Sequence, residues 1–182
     1  TLQKRKLDEQ QQQKLIVLAL DETNRLNLLT NNILVASQLD SGNYTVNKQQ
    51  VNLSKLVADA IADFTNRFRK RTIVSDVKDA IMVEGELMLL QMLVNNLVEN
   101  ALKYSPKDKA IHVSLHTKEA NALLKITDEG SGIRASEKKK IFEKFYRSGD
   151  ESVRTTKGTG LGLYLCKRIL KDHKGTISVE DH

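Results

Sequence analysis

Apolar positions recur at heptad spacing through the first part of the chain. Ala19, Leu26 and Ile33 make one series, and Leu15, Leu29 and Ala36 a second, with Glu22 standing where an apolar residue is due. This spacing predicts one long helix. Asp8, with Gln11 three residues on, offers a capping box at its start, and Gly42 a stop just beyond Asp40. A heptad stripe on a lone helix has nothing to pack against, so it calls for a partner helix. Residues 1–7 are too few to supply one, which leaves another chain or a preceding segment.

The polar stretch Asn43–Gln50 reads as a linker. Leu53, Leu56, Val57, Ala60, Ile61, Phe64 and Phe68 then follow helical spacing over Leu53–Arg69. Short runs at Thr72–Val77 and Ala80–Val83 predict strands, the second leading into Gly85. A helix over Met88–Tyr104 follows, ended by Pro106. It carries two opposed stripes. Leu93, Leu97, Val98, Ala101 and Leu102 should face a core, while Asn96, Asn100 and Lys103 share the other side with Tyr104 one step beyond. Such a stripe is either a solvated face or the seat of a polar ligand, for which metal-bound phosphate has the right chemistry.

Ile111, Val113 and Leu115 alternate with His112, Ser114 and His116, a strand with one apolar face. A second strand, Ala122–Thr127, returns after a hairpin loop at Lys118–Asn121. Without a third ligand, the two histidines read as a solvated sheet face rather than a metal pair. Ser136 caps a short helix through Phe142, and Glu143–Lys157 is long and aperiodic enough for a lid. A glycine-rich turn at Gly158–Gly162 opens a helix through about Asp172. Cys166, Ile169 and Leu170 form its apolar face, and His173 and Lys174 lie at its C-terminus, where positive charge suits the dipole. Thr176–Val179 reads as a last strand.

Composition narrows the classes. A 182-residue chain with 40% hydrophobic residues allows one ordinary domain plus an appendage, and 4% aromatics make its core aliphatic. Cys166, the single cysteine, permits no intrachain disulfide and suits a reducing, cytoplasmic compartment. No apolar run approaches the roughly 18 residues of a membrane span, although a parent protein anchored in the inner membrane stays compatible. The net charge of +6 is dispersed, without the aromatic-interleaved basic patch of single-strand binders, so nucleic acid is not an expected partner.

Two further motifs bear on the polar stripe. Asp128-x-Gly130-x-Gly132 sets a carboxylate at a strand end before residues that tolerate close backbone approach, a turn fit for a flat ligand. Gly158-Thr159-Gly160-Leu161-Gly162-Leu163 presents backbone N–H groups at the positive end of a helix. Its spacing matches neither the dinucleotide fingerprint nor the P-loop.

Taken in order, the Asn-stripe helix, the acidic-glycine turn, the segment Phe142-Glu143-Lys144-Phe145-Tyr146-Arg147 and the G-x-G-x-G helix start resemble the N, G1, F and G2 boxes of sensor histidine kinases. The wider group is the GHKL ATPases. The resemblance spans roughly Leu53–Val179, and the heptad helix resembles the second helix of the dimerisation and phosphotransfer hairpin. It implies an α+β class: a two-layer sandwich, the Bergerat ATP-binding fold, behind a long coiled-coil-type helix. The expected division is an incomplete hairpin helix at 1–42, a linker at 43–50 and a catalytic domain at 51–182 lacking its final strand.

By the same resemblance the ligands are ATP and Mg²⁺. Asn100 would be the metal ligand, supported by Asn96, with Lys103 and Tyr104 contacting phosphate and ribose. Asp128 would accept the adenine amino group, and Gly130, Gly132 and Ile133 would form the adenine turn. Gly158, Thr159, Gly160, Leu161, Gly162 and Leu163 would wrap the phosphates, with Arg147 and Lys157 as cationic contacts. Phe142 and Phe145 would anchor the lid. Hydrolases of this group, such as gyrase, MutL and the heat-shock chaperones, carry a water-activating Glu four residues before the metal-binding Asn. Here that position is Asn96, and a carboxamide cannot serve as general base, which favours phosphoryl transfer over hydrolysis.

The family's acceptor pattern, His-Glu/Asp-x-x-x-Pro, is absent. Pro106 is the only proline, and His112, His116, His173 and His182 lie in or after the ATP-binding region. The expected reaction is therefore transfer to a histidine on a helix outside this chain, for relay to a response-regulator aspartate, in a homodimeric parent. A nucleotide-binding interaction module without turnover is the alternative outside catalysis.

Overall fold

A computed structural model describes residues 8–148 and 158–181. The first helix, α1, is Glu9–Asp40. The predicted capping box forms: Asp8 accepts from the Gln11 N–H at 2.7 Å and the Gln11 side chain accepts from the Asp8 N–H. The helix stops as expected, with Ser41 as C-cap and Gly42 at φ +70°. Its C-terminal turns bury Val35, Ala36 and Leu39 against the rest of the chain. Leu15, Ile16, Val17, Leu18, Leu20, Leu26, Ile33 and Leu34 lie about half exposed or more.

The stretch 43–50 is not a free linker. Tyr44 and Val46 pack against the core, and Gln49–Asn52 forms a short strand, β1. Polar residues hid that strand, since its register depends on a partner rather than on alternation. Helix α2 (Leu53–Arg67) buries Leu56, Val57, Ala60, Ile61 and Phe64, the spacing expected. Strands β2 (Ile73–Val77) and β3 (Met82–Gly85) follow, β3 two residues later than its hydrophobic run suggests. Pairing with β1, Gln49 opposite Gly85, sets those bounds.

Helix α3 is Leu87–Tyr104, and β4 (Ile111–Lys118) and β5 (Asn121–Thr127) form the predicted hairpin. The strands make two sheets: an antiparallel β1–β3 ribbon, and a mixed sheet ordered β2-β4-β5, with β2 parallel and β5 antiparallel to β4. Ile111, Val113 and Leu115 point into the core, while His112 and His116 face solvent. His116 Nε2 meets Asp76 Oδ2 at 3.1 Å, and no group of three potential metal ligands forms among the described residues.

The helix expected after Ser136 shrinks to turns ending in a 3₁₀ segment, Lys140–Phe142. Helix α4 (Gly162–Asp172) packs on α3, its buried side chains being Leu165, Cys166 and Ile169. Cys166 Sγ lies 3.8 Å from the Leu93 carbonyl, and burial pushes its thiol up to about 12. Thr176–Val179 forms no strand, because no described segment offers it a ladder. His173 does not act as a surface charge at the end of α4. Its Nε2 accepts the Glu86 N–H at 3.0 Å and its Nδ1 lies 2.8 Å from the Ile169 carbonyl, so both ring nitrogens are engaged by backbone.

Among the described residues, no helix is long and apolar enough to cross a membrane.

Candidate functional site

The polar stripe of α3 faces the N-terminal end of α4. Leu93, Val94, Val98 and Ala101 are buried on one side of α3, which leaves Asn96, Asn100 and Lys103 half-buried on the other. A Cβ placed on Gly162, the first residue of α4, would stand 2.9 Å from Asn96 Oδ1 and 3.8 Å from Asn100 Nδ2. A Cβ on Gly158 would run into the Lys103 ammonium. Asn96 is oriented by its own helix, since its Nδ2 donates to the Met92 carbonyl at 2.9 Å. That back-bond turns the carboxamide oxygen toward α4. Asn100 and the Lys103 ammonium have no hydrogen-bond partner among the described residues; Lys103 Nζ lies 5.0 Å from the centre of the Tyr104 ring.

No side chain caps α4, whose N-cap is Leu161. Its first N–H groups therefore have no side-chain acceptor among the described residues, and they carry the positive end of the helix dipole. Gly160, at φ +71°, brings the loop under the Phe142–Arg147 segment: the Phe145 N–H donates to the Gly160 carbonyl at 3.0 Å. A Cβ there would sit 2.6 Å from the Phe145 carbonyl carbon and 2.7 Å from the Tyr146 oxygen, so only glycine fits.

The acidic turn follows β5. Asp128 Oδ1 accepts the Gly130 N–H at 2.8 Å, an Asx-type bond that fixes the carboxylate. Gly130 is pressed between that oxygen and the Tyr104 carbonyl, which a Cβ would meet at 2.6 and 2.9 Å. The turn thus abuts the end of α3, and the two sequence motifs become one wall. Lys109 Nζ pairs with Glu129 Oε2 at 2.9 Å, tying the loop after α3 to the same turn.

Asn96, Asn100, Lys103, Tyr104, Asp128, Gly130, Gly132, Ile133, Arg147, Gly158, Thr159, Gly160, Gly162 and Leu163 all line one broad cleft. Leu161 does not. Its side chain is fully buried, so the alternation of the glycine motif sends it into the core and leaves only its backbone near the cleft. Lys157 and residues 149–156 of the expected lid lie outside the described residues. Phe142 is buried as an anchor should be, but Phe145 is 61% exposed, because its backbone takes the left-handed φ of +65°. Arg134 and Ser148 also line the cleft and escaped the sequence reading. Each sits one residue beyond a recognised position, Ile133 or Arg147, which was the available signal.

The family described as Histidine kinase-, DNA gyrase B-, and HSP90-like ATPase matches residues 85–182. The chain is 33% identical over 172 residues to the sensor protein KdpD of Clostridium acetobutylicum, covering 94% of this chain and 19% of KdpD. It is 31% identical over 160 residues to the sensor-like histidine kinase SenX3 of Mycobacterium bovis, covering 87% of this chain and 39% of SenX3. The chain thus spans well under half the length of these curated relatives. Among solved structures, a mycobacterial sensor histidine kinase, MprB, superposes at a TM-score of 0.62 with 27% identity, covering 70% of this chain and 81% of that one. Every residue of the cleft argued above falls inside the matched span, and on that ground this chain belongs to the family of histidine kinase-, DNA gyrase B- and HSP90-like ATPases.

Proposed function

We propose that this chain binds Mg²⁺·ATP in the cleft and donates the γ-phosphoryl group to a protein histidine. The family is one of ATP-using proteins. The observation that carries the reading is the apposition of Asn96, Asn100 and Lys103 on α3 to the uncapped N-terminus of α4. A carboxamide oxygen, an ammonium and free backbone N–H groups are the donor set that a metal-bound polyphosphate needs. The residues present therefore fit the group. Asn100 would hold the metal and Asn96 would support it. When bound, Mg²⁺ neutralises charge on the phosphates.

Lys103 and the N–H groups of Gly158–Leu163 hold the phosphates, with Leu161 contributing backbone only. Asp128 accepts from the adenine amino group. Gly130, Gly132 and Ile133 shape its turn, and Tyr104 contacts the ribose. Arg147, Thr159 and Lys157 complete the phosphate side. Transfer forms a bond from phosphorus to an imidazole nitrogen and breaks the bond to the bridging oxygen, with ADP leaving. The protein's part is positioning and charge. Asn96 has no basicity with which to activate water, which sets this reading above hydrolysis.

The acceptor histidine belongs to a helix paired with α1. His112 and His116 lie on the outer face of the sheet, and His173 is engaged at the end of α4. Residues 1–42 act as a hairpin helix, 43–50 as a connector and 51–182 as the catalytic domain. The apolar surface of α1 seats its partner helix and a second copy of the parent protein, in the cytoplasm. A response-regulator aspartate receives the phosphate.

Calorimetry with and without Mg²⁺ tests the site. Native protein should bind ATP. Asn100→Ala should lose the Mg²⁺-dependent part of the affinity, and Asp128→Ala should lose discrimination for adenine. Equal affinity in all three proteins would sink the assignment. Incubation with [γ-³²P]ATP and a separately supplied hairpin carrying its histidine should label that hairpin. Steady ATP hydrolysis without transfer would favour the hydrolase, and binding with neither would favour an interaction module.

A further inference from the structure

Glu137 lies outside every motif, yet its carboxylate is held by several partners beside the cleft. Its side chain is 13% exposed. Oε1 accepts from the Tyr146 hydroxyl at 2.8 Å and Oε2 from the Ser148 hydroxyl at 2.9 Å. Arg134 Nε lies 3.9 Å from Oε2, and the Glu137 N–H donates to the Arg134 carbonyl at 2.8 Å. The hydrogen bond from Tyr146 also holds that phenol protonated to above its ordinary range, chiefly because its partner is a carboxylate.

The two hydroxyls flank Arg147. One carboxylate therefore grips the residue before and the residue after this arginine, which restricts the backbone between them. The Phe145 N–H, bonded to the Gly160 carbonyl, fixes the same segment from the other side. Arg147 itself lines the cleft together with Gly158, Gly160 and Gly162. Arg134, the other residue held by Glu137, lines it beside Ile133. One acid thus joins the segment after the Asp128 turn to the segment that carries the cation.

We propose that Glu137 is a positioning residue for Arg147: by holding Tyr146 and Ser148 it sets the guanidinium against the triphosphate end of the nucleotide. This rests on the ATP reading above. A preset cation gives up less conformational freedom on binding than one that must be ordered by the ligand. Charged hydrogen bonds also hold geometry better than neutral ones. Tyr146 and Ser148 therefore serve the site through Arg147.

The test is a double-mutant cycle on the whole chain, read as dissociation constants for Mg²⁺·ATP and for adenosine. Tyr146→Phe removes one hydroxyl and keeps the ring; Glu137→Gln removes the charge and keeps the shape. In the native background each should weaken Mg²⁺·ATP by about threefold to tenfold, the lower part of the range for coupled neighbours. Adenosine affinity should not change. In an Arg147→Ala background neither substitution should weaken Mg²⁺·ATP further. Equal losses in both backgrounds, or a parallel loss for adenosine, would show a purely structural role and overturn the proposal. Native protein that binds adenosine but shows no Arg147 dependence would overturn it while leaving the ATP reading standing. Absence of any nucleotide binding would overturn both.

Discussion

At Gly160 the backbone has no alternative. Its φ of +71° and the carbonyl groups of Phe145 and Tyr146 leave no volume for a methyl group. Gly160→Ala should destabilise the loop by at least the ~1–2 kcal/mol of a left-handed alanine, and urea titration would measure it. ATP affinity should fall with it, since the same loop presents the N–H groups of α4. Asn96 shows the opposite kind of constraint, in which a side chain is fixed by one bond to its own helix and so aims its oxygen across the cleft. Cys166 makes a third case. Burial pushes its thiol up to about 12, so it should resist thiol reagents at neutral pH in folded protein and react on unfolding. Rapid labelling of native protein would contradict that.

Among the elements, α1 docks on the rest of the chain by its C-terminal turns, where one acid gathers the polar contacts. Asp40 accepts from the Tyr164 hydroxyl and pairs with Lys144 at 3.0 Å, and Arg168 Nη2 donates to the Leu39 carbonyl at 2.5 Å. The Tyr164 hydrogen bond, followed by Lys144 and Arg168, holds the Asp40 carboxyl below its ordinary value against the opposing effect of burial. Because the folded pKa is the lower one, this contribution is full above the unfolded carboxylate range and fades as pH falls through the depressed value. Amide exchange over the last turns of α1, taken relative to the intrinsic rate at each pH, should therefore quicken in acid, below about pH 4. Asp40→Asn should quicken it at neutral pH and flatten the dependence. An unchanged acid profile in that variant would show that another group controls the docking. The contact also links α1 to the Phe142–Arg147 segment through Lys144.

For the whole molecule, the apolar surface of α1 sets the state in solution. A helix apolar on several sides needs cover on several sides, and among the described residues the buried apolar side chains of α1 lie in its C-terminal turns. The chain should self-associate in sedimentation at rising concentration. Leu26→Glu, at a position 61% exposed, should weaken that association without loss of ATP affinity. A native chain that stays monomeric at high concentration would refute the assignment of α1 as an interface.

Much of this molecule is local in origin, and the sequence by itself determined it. The heptads of α1, its capping box, the 3.6-residue periodicity of α2 and α3, and the alternation of Ile111, Val113 and Leu115 act within a few residues, so they can be read along the chain. The same holds for the glycine spacing and the stripe of Asn96, Asn100 and Lys103. The tertiary structure decided what depends on partners. β1 exists because β3 lies opposite it, and Thr176–Val179 lacks a ladder despite its composition. His173, at the end of α4, is tied to the Glu86 N–H across 87 positions of sequence. Leu161 is fully buried although it stands between glycines of the motif, and Phe145 is turned outward by its backbone. Glu137 bears on Arg147 only across a bend that brings Tyr146 and Ser148 to it. Hydrogen bonds and burial between distant segments leave no period in a sequence, which is why these roles appear only once the chain is folded.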